Sequence, residues 1–161
     1  MADIKTKYGS NNQSITITIN SLASDAKRES SAVDNTSNLF FDALVQVKIA
    51  TNAGTDSTGD KSVYVYAYGT ADGGSSYSGN TSGSDAAFGT DPQQLSNCKL
   101  IGVIYAPTKN MTYKSDLMSV SAAFGGRLPD HWGIVVHNAT GQALVASGNS
   151  AFYQGVLAQT V

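Results

Sequence analysis

Between Leu39 and Thr51 the chain alternates with a period of two: Leu39, Phe41, Ala43, Val45, Val47 and Ile49 fall on one side, Asp42, Gln46 and Lys48 on the other. Successive side chains of a strand point to opposite faces, so this is the pattern of a long antiparallel strand with one face in a core and the other in water. Phe40 and Leu44 interrupt the polar side. Ser14 to Asn20 repeats the pattern in a shorter and stricter form, with Ile15, Ile17 and Ile19 opposite threonines. Composition agrees. Only Glu29 among the twelve acidic residues is a glutamate, charged residues make up 14% of the chain, and roughly a third of it is Ser, Thr and Gly. Exposed helix faces are normally dressed with Glu, Lys, Arg and Gln. The expectation is an all-β protein with uncharged polar loops.

Period and turn signals predict eight strands, over residues 14–20, 39–51, 61–68, 98–106, 116–124, 131–138, 142–146 and 150–159. Residues 1–13 read as a polar amino-terminal arm and 14–161 as a single domain, since 161 residues with one cysteine suffice for one core without disulfide staples. About eight antiparallel strands joined by unequal loops fit an antiparallel β-sandwich of jelly-roll type better than an up-and-down barrel. Two loops stand out. Residues 21–38 hold most of the local charge (Asp25, Lys27, Arg28, Glu29, Asp34) and read as an ordered loop, with Arg28 and Glu29 forming a local ion pair. Residues 69–94 are rich in Gly, Ser, Asp and Asn and longer than most loops of a compact domain, which marks a functional excursion or a partly mobile segment.

Net charge is −2, and the ten basic residues are scattered and include only two arginines, so a phosphate-tracking surface for nucleic acid is not expected. No apolar run reaches the length of a membrane span, and Met1 to Gln13 lacks the apolar centre of a secretory signal. The five Asn-x-Ser/Thr triplets, at Asn12, Asn35, Asn80, Asn110 and Asn138, then reflect composition rather than glycosylation. Cys98, in an apolar run, reads as a buried free thiol, in keeping with synthesis in a reducing cytoplasm.

Catalytic patterns are thin. His131 and His137 lie in one predicted strand, about 20 Å apart along it, too far to share a metal. No Gly-x-Ser-x-Gly elbow is present, and Ser24-Asp25-Ala26-Lys27 matches Ser-x-x-Lys without its companion motifs. The aspartates sit in turn contexts, and Asp56, Asp60, Asp72, Asp85 and Asp91 do not form a calcium loop. No catalytic residue, metal site or cofactor is expected.

Tyr64, Tyr66 and Tyr68 carry more information. They alternate with Val63, Val65 and Ala67, so three phenol rings occupy the face where a half-buried strand normally shows charge or hydroxyls. Tyrosine offers rigid area with a polar tip, the chemistry of interfaces and of sugar stacking. Leu100 to Tyr105 is likewise apolar on both faces. Both strands predict an outer sheet surface covered by self-association or docking. The low charge of the chain points the same way.

Residues 119–161, SVSAAFGGRLPDHWGIVVHNATGQALVASGNSAFYQGVLAQTV, and 21–49, SLASDAKRESSAVDNTSNLFFDALVQVKI, resemble small virion proteins of tailed bacteriophages. The most specific pieces are Ala123-Phe124-Gly125-Gly126 with Leu128-Pro129, Trp132 to Val136, and Ala151 to Gly155. The resemblance is to capsid decoration, or cement, proteins of jelly-roll type. It implies a structural role on the virion, synthesis in the host cytoplasm, a homo-oligomer (a trimer before a dimer), and binding across seams between major capsid protein subunits. It transfers no catalytic residue. In such a protein the arm with Lys5, Lys7 and Tyr8 would lie along the capsid or a neighbouring protomer. Gly125, Gly126 and Pro129 would turn the chain sharply, and Trp132 would anchor the sandwich. The alternative is a carbohydrate- or receptor-binding module of a tail fibre or surface protein, in which Tyr64, Tyr66, Tyr68 or Trp132 stacks on sugar rings.

Overall fold

The computed structural model describes residues 3–89 and 91–161. Two antiparallel sheets face each other across one apolar core. In the first, β12 (Ser150–Thr160) runs beside β5 (Asp42–Ala50). The other side of β12 pairs with β2 (Gln13–Ile15) near its start and with β1 (Ile4–Tyr8) near its end. The far side of β5 is shared by β9 (Thr112–Lys114) and β10 (Met118–Ser119). In the second sheet β11 (His131–Ala139) lies between β6 (Ser62–Thr70) and the short β3 (Lys27–Glu29) and β4 (Val33–Asp34). β7 (Ala86–Ala87) extends that sheet beyond β3, and β8 (Lys99–Tyr105) closes it beyond β6. This is an all-β antiparallel sandwich, as the alternation of apolar residues requires.

The core follows the period-two pattern. Ala43, Val45, Val47 and Ile49 of β5 are fully buried against Val63, Val65 and Ala67 of β6 and Trp132, Ile134 and Val136 of β11. The Trp132 indole meets the Tyr153 ring edge-on, with centroids 5.3 Å apart. Ile15 and Ile19 are buried too, although the ladder of β2 ends at Ile15.

Several segments depart from the expected strands. β5 starts at Asp42, because the buried Asn35 side chain donates to the Phe40 carbonyl (2.8 Å) and accepts from the Phe40 amide (3.0 Å), closing residues 35–40 into a loop. Leu39 and Phe41, which the alternation assigns to the core, are consequently 75% and 45% exposed, and Phe40 turns inward instead. Residues 116–124 form only β10 and a 3-10 turn, Ser121–Phe124. Within 142–146 only Leu144 makes a bridge, to Thr51. Of the expected polar arm, residues 4–8 are β1, paired along their whole length with β12. Their backbone finds hydrogen-bond partners there, although all five side chains stay exposed.

Residues 71–89 and 91–98, the cap, fold over part of the outer face of the second sheet. Phe88, Cys98, Tyr77 and Leu95 pack there on Tyr68 and Val135. Two carboxylates fix this cap. Glu29, 4% exposed, accepts from the Ser82 amide (2.8 Å) and hydroxyl (2.9 Å). Asp85 accepts from the Thr18 amide (3.0 Å) and hydroxyl and from Arg28 Nε (2.6 Å). Arg28 and Glu29 therefore do not pair with each other. Neighbours on a strand point to opposite faces, and each reaches a different part of the cap.

Candidate functional site

The uncovered part of that outer face, together with the free edge of β8, is the largest collection of exposed apolar side chains among the described residues. Four of the ten large exposed hydrophobics lie there: Leu100, Val103 and Tyr105 on β8, and Leu117 just before β10. Cross-strand register extends the patch inward, since Val103 stands opposite Tyr64 and Leu100 opposite Tyr66. Partners in an antiparallel pair project to the same side, so these four form one surface. A groove of about 270 Å³ runs between the two sheet edges, with Leu100 and Ile101 on one wall and Leu117, Ala122 and Ala123 on the other.

The three tyrosines do not act together. Tyr64 and Tyr66 are half-buried, with ring centroids 6.5 Å apart. The Tyr64 hydroxyl donates to Asp60 Oδ2 (2.5 Å), which raises its pKa, and its ring stacks on His137 at 5.9 Å. Tyr68 is fully buried beneath the cap, where its hydroxyl donates to the Ser30 carbonyl (2.6 Å) and burial pushes its pKa well up. It presents nothing to a partner, so its assignment to an interface is corrected: the excursion after β6 covers it. Trp132 is equally buried, which removes it, with Tyr68, from any sugar-stacking platform.

The remaining candidates lie elsewhere. Lys5, Lys7 and Tyr8 are exposed along β1, at the edge of the first sheet and not on a free arm. Gly125 and Gly126 have φ of 70° and 85°, a left-handed turn that glycine adopts without steric cost. Pro129 then settles against Gly69, where an added Cβ would stand 2.8 Å from its ring. Burial raises the pKa of the Cys98 thiol to about 11, so it is held protonated under the cap.

Little among the described residues resembles a reaction centre. His137 Nε2 lies 3.2 Å from Asp25, while His131 sits 3.6 Å from Asp130 and 3.9 Å from Asp34, at the other end of β11. Among the described residues no three His, Cys, Asp or Glu side chains converge as metal ligands. No helix among the described residues is long and apolar enough to cross a membrane. What the geometry offers is contact area: a rigid sheet surface and an open strand edge, both apolar. The sequence pattern marked the tyrosine stripe and the apolar β8, but it missed Leu117, which reaches the same edge only through the pairing of β10 with β5. No protein-family model matches the chain, and no curated protein matches it by sequence.

Proposed function

We propose that this chain is a structural protein of a tailed-phage virion, a capsid decoration protein that binds between major capsid protein subunits and braces the head without catalysing a reaction. One observation carries the reading: the apolar edge of β8 continues into the Tyr64–Tyr66 surface on a chain with only 14% charge. Uncharged, unpaired strand edges invite pairing with another chain, and natural proteins usually guard them with lysine or proline. β1 is guarded in that way, by Lys5 and Lys7. β8 carries a single charge, the exposed Lys99 at its start, and none from Leu100 to Tyr105. The resemblance to decoration proteins supplies the partner, the major capsid protein, and the oligomer, a trimer. Many identical copies multiply modest contacts into a strong hold on the particle.

Cryo-electron microscopy of the intact particle tests this directly, with density for the chain expected at regular lattice positions on the head. Density confined to the tail tip overturns it. In solution the purified protein should run above its monomer mass, and replacing Val103 and Tyr105 together with Ser should abolish self-association or head binding while shifting the monomer's melting temperature little. A monomer that leaves heads undecorated and binds on a glycan array would favour the carbohydrate-binding alternative.

A further inference from the structure

A second surface lies beyond the 3-10 turn Ser121–Phe124. Ala122 and Ala123 face the β8 groove, whereas Phe124 faces away, into a hollow of about 520 Å³ beside Leu128 and Pro129. A second hollow of about 670 Å³ adjoins it, bordered by Leu39, Phe40 and Phe41. The two share Arg127, Leu128 and Asp130, so the Arg127–Leu128 segment is a ridge between them.

Three features of the ridge go beyond a chance hollow. Arg127 is exposed, and no carboxylate of the described residues lies within 4 Å of it, in contrast to Arg28, which Asp85 holds at 2.6 Å. Asp130 is engaged by its own strand, accepting from the His131 amide at 2.8 Å. Leu39 has φ of 54°, a left-handed conformation that costs a side-chain-bearing residue energy, and it is 75% exposed. Asn35 enforces that conformation through its two hydrogen bonds to Phe40. The Leu39 backbone helps close the loop, its amide donating to the Asn35 carbonyl (3.0 Å), but its side chain points at solvent and is absent from the core, and strained, exposed apolar residues collect at binding sites.

We infer that this ridge is a docking site for an extended, acidic and apolar segment of a partner protein, whose carboxylate pairs with Arg127 and whose apolar side chains seat against Leu39, Phe41 and Leu128. The occupant follows from charge complementarity: an unpaired guanidinium between a mainly apolar hollow and one of mixed lining matches a carboxylate flanked by apolar side chains, and arginine forms that pair bidentately. Arginine is also prominent among residues that dominate binding energy. The inference rests on the chain being a docking module, and it gives that module a second contact separate from the β8 edge.

The test uses the full chain and a synthetic octapeptide alternating Leu and Glu, with a Leu–Gln octapeptide as neutral control, followed by NMR titration. The acidic peptide should perturb Leu39, Arg127 and Leu128, and should bind at least tenfold more tightly than the neutral one. Arg127→Glu should weaken it at least tenfold. Leu39→Gly should do the same while leaving the melting temperature unchanged or raised, because glycine accepts the positive φ. Equal binding of both peptides, or perturbations confined to β8 and β10, overturns the inference. Heads offered the wild type and both variants separate the two readings. Decoration by all three equally sinks the ridge and leaves capsid binding standing, whereas failure of the wild type to decorate sinks capsid binding even if the peptide binds.

Discussion

Tyr68→Ala is expected to destabilise the protein by about 3–5 kcal/mol, the range for removing a fully buried aromatic ring. That corresponds to a fall in melting temperature of roughly 6–20 °C for a domain of this size. The ring meets Tyr77 edge-on at 5.5 Å and packs with Phe88, Cys98 and Val135, all in contact with the cap. Gly133 shows how tightly the site is filled, since a Cβ there would stand 2.3 Å from the Tyr68 ring. Tyr68→Phe isolates the hydroxyl and should cost about 1–3 kcal/mol by leaving the Ser30 carbonyl without its donor. Tyr64→Ala, four residues earlier on the same strand face, should cost under about 1 kcal/mol, because that ring is only partly covered and its hydroxyl bonds to an exposed aspartate. Thermal unfolding of the three variants decides the matter. Equal losses at Tyr64 and Tyr68 would mean that the cap does not seat on the sheet.

That contrast shows where sequence reading stops. Alternation located β5, β12 and, in part, β6, because their burial repeats every second residue, a local property that pairing and packing preserve, while β8 and β11 stand out only as apolar runs. It also registered that β6 and β8 are apolar on both faces. What it lacked was the identity of the cover. Tyr64, Tyr66 and Tyr68 are equivalent by period, yet Tyr68 is fully buried under the cap, Tyr66 only touches the cap's apolar cluster at its margin and Tyr64 lies outside it, a difference decided by Tyr77, Phe88, Leu95 and Cys98, which come later in the chain. The cap was hard to foresee because its composition is that of a loop. Its order comes from the short β7 ladder on β3 and from Glu29 and Asp85, which bond to hydroxyls and amides spread along the chain rather than to a contiguous motif. The single glutamate, whose rarity argues against helices, is one of these fastenings. The amino-terminal segment misled in the opposite sense: with all five side chains exposed, β1 looks like an arm in sequence, and only its backbone pairing with β12 makes it part of the sheet. Leu39 fell outside the core for a similar reason, since the Asn35 bonds that break the alternation there are invisible to periodicity.

The two proposed contacts flank one short turn. Their separation by Ser121–Phe124 places the β8 groove and the Arg127 ridge near each other without merging them, as a protein bridging two neighbouring subunits requires. They differ in chemistry as well. The β8 edge offers backbone groups and apolar area, suited to an added strand, while the ridge offers one fixed charge between hollows. Mutations at one should therefore leave binding at the other nearly unchanged, since groups without shared partners contribute additively.

Asp85→Ala should release the cap while the sandwich stays folded. The substitution removes the acceptor of the Thr18 amide and hydroxyl and leaves Arg28, whose side chain is 24% exposed, without its ion-pair partner. The expected local loss is about 2 kcal/mol, in the range for hydrogen bonds to a charged group. It raises the fraction of molecules with an open cap roughly 30-fold. Cys98 reports that opening because it belongs to the cap and is buried where the cap seats on Tyr68 and Val135, and labelling by 4,4′-dithiodipyridine, which reacts in acid as well as at neutral pH, should accelerate accordingly. Acid should mimic the mutation. Burial by itself raises the pKa of Asp85, but the hydrogen bonds from Arg28 and Thr18 outweigh it and hold the carboxyl below its ordinary value. A carboxylate depressed in the fold contributes stability that is complete above the unfolded value of about 4 and drains away as pH falls through the lower folded value. Labelling of the wild type should therefore quicken on acidification below about pH 4. Asp34 and Asp72 are depressed too, by exposed hydroxyl and amide donors, so wild-type acid sensitivity alone does not single out Asp85. Asp85→Asn does, because it keeps an acceptor near Arg28 but cannot titrate: its labelling at neutral pH should lie between those of wild type and Asp85→Ala, with a flatter acid response. An Asp85→Asn protein whose labelling quickens in acid as steeply as the wild type would show that other carboxylates, and not this one, hold the cap down.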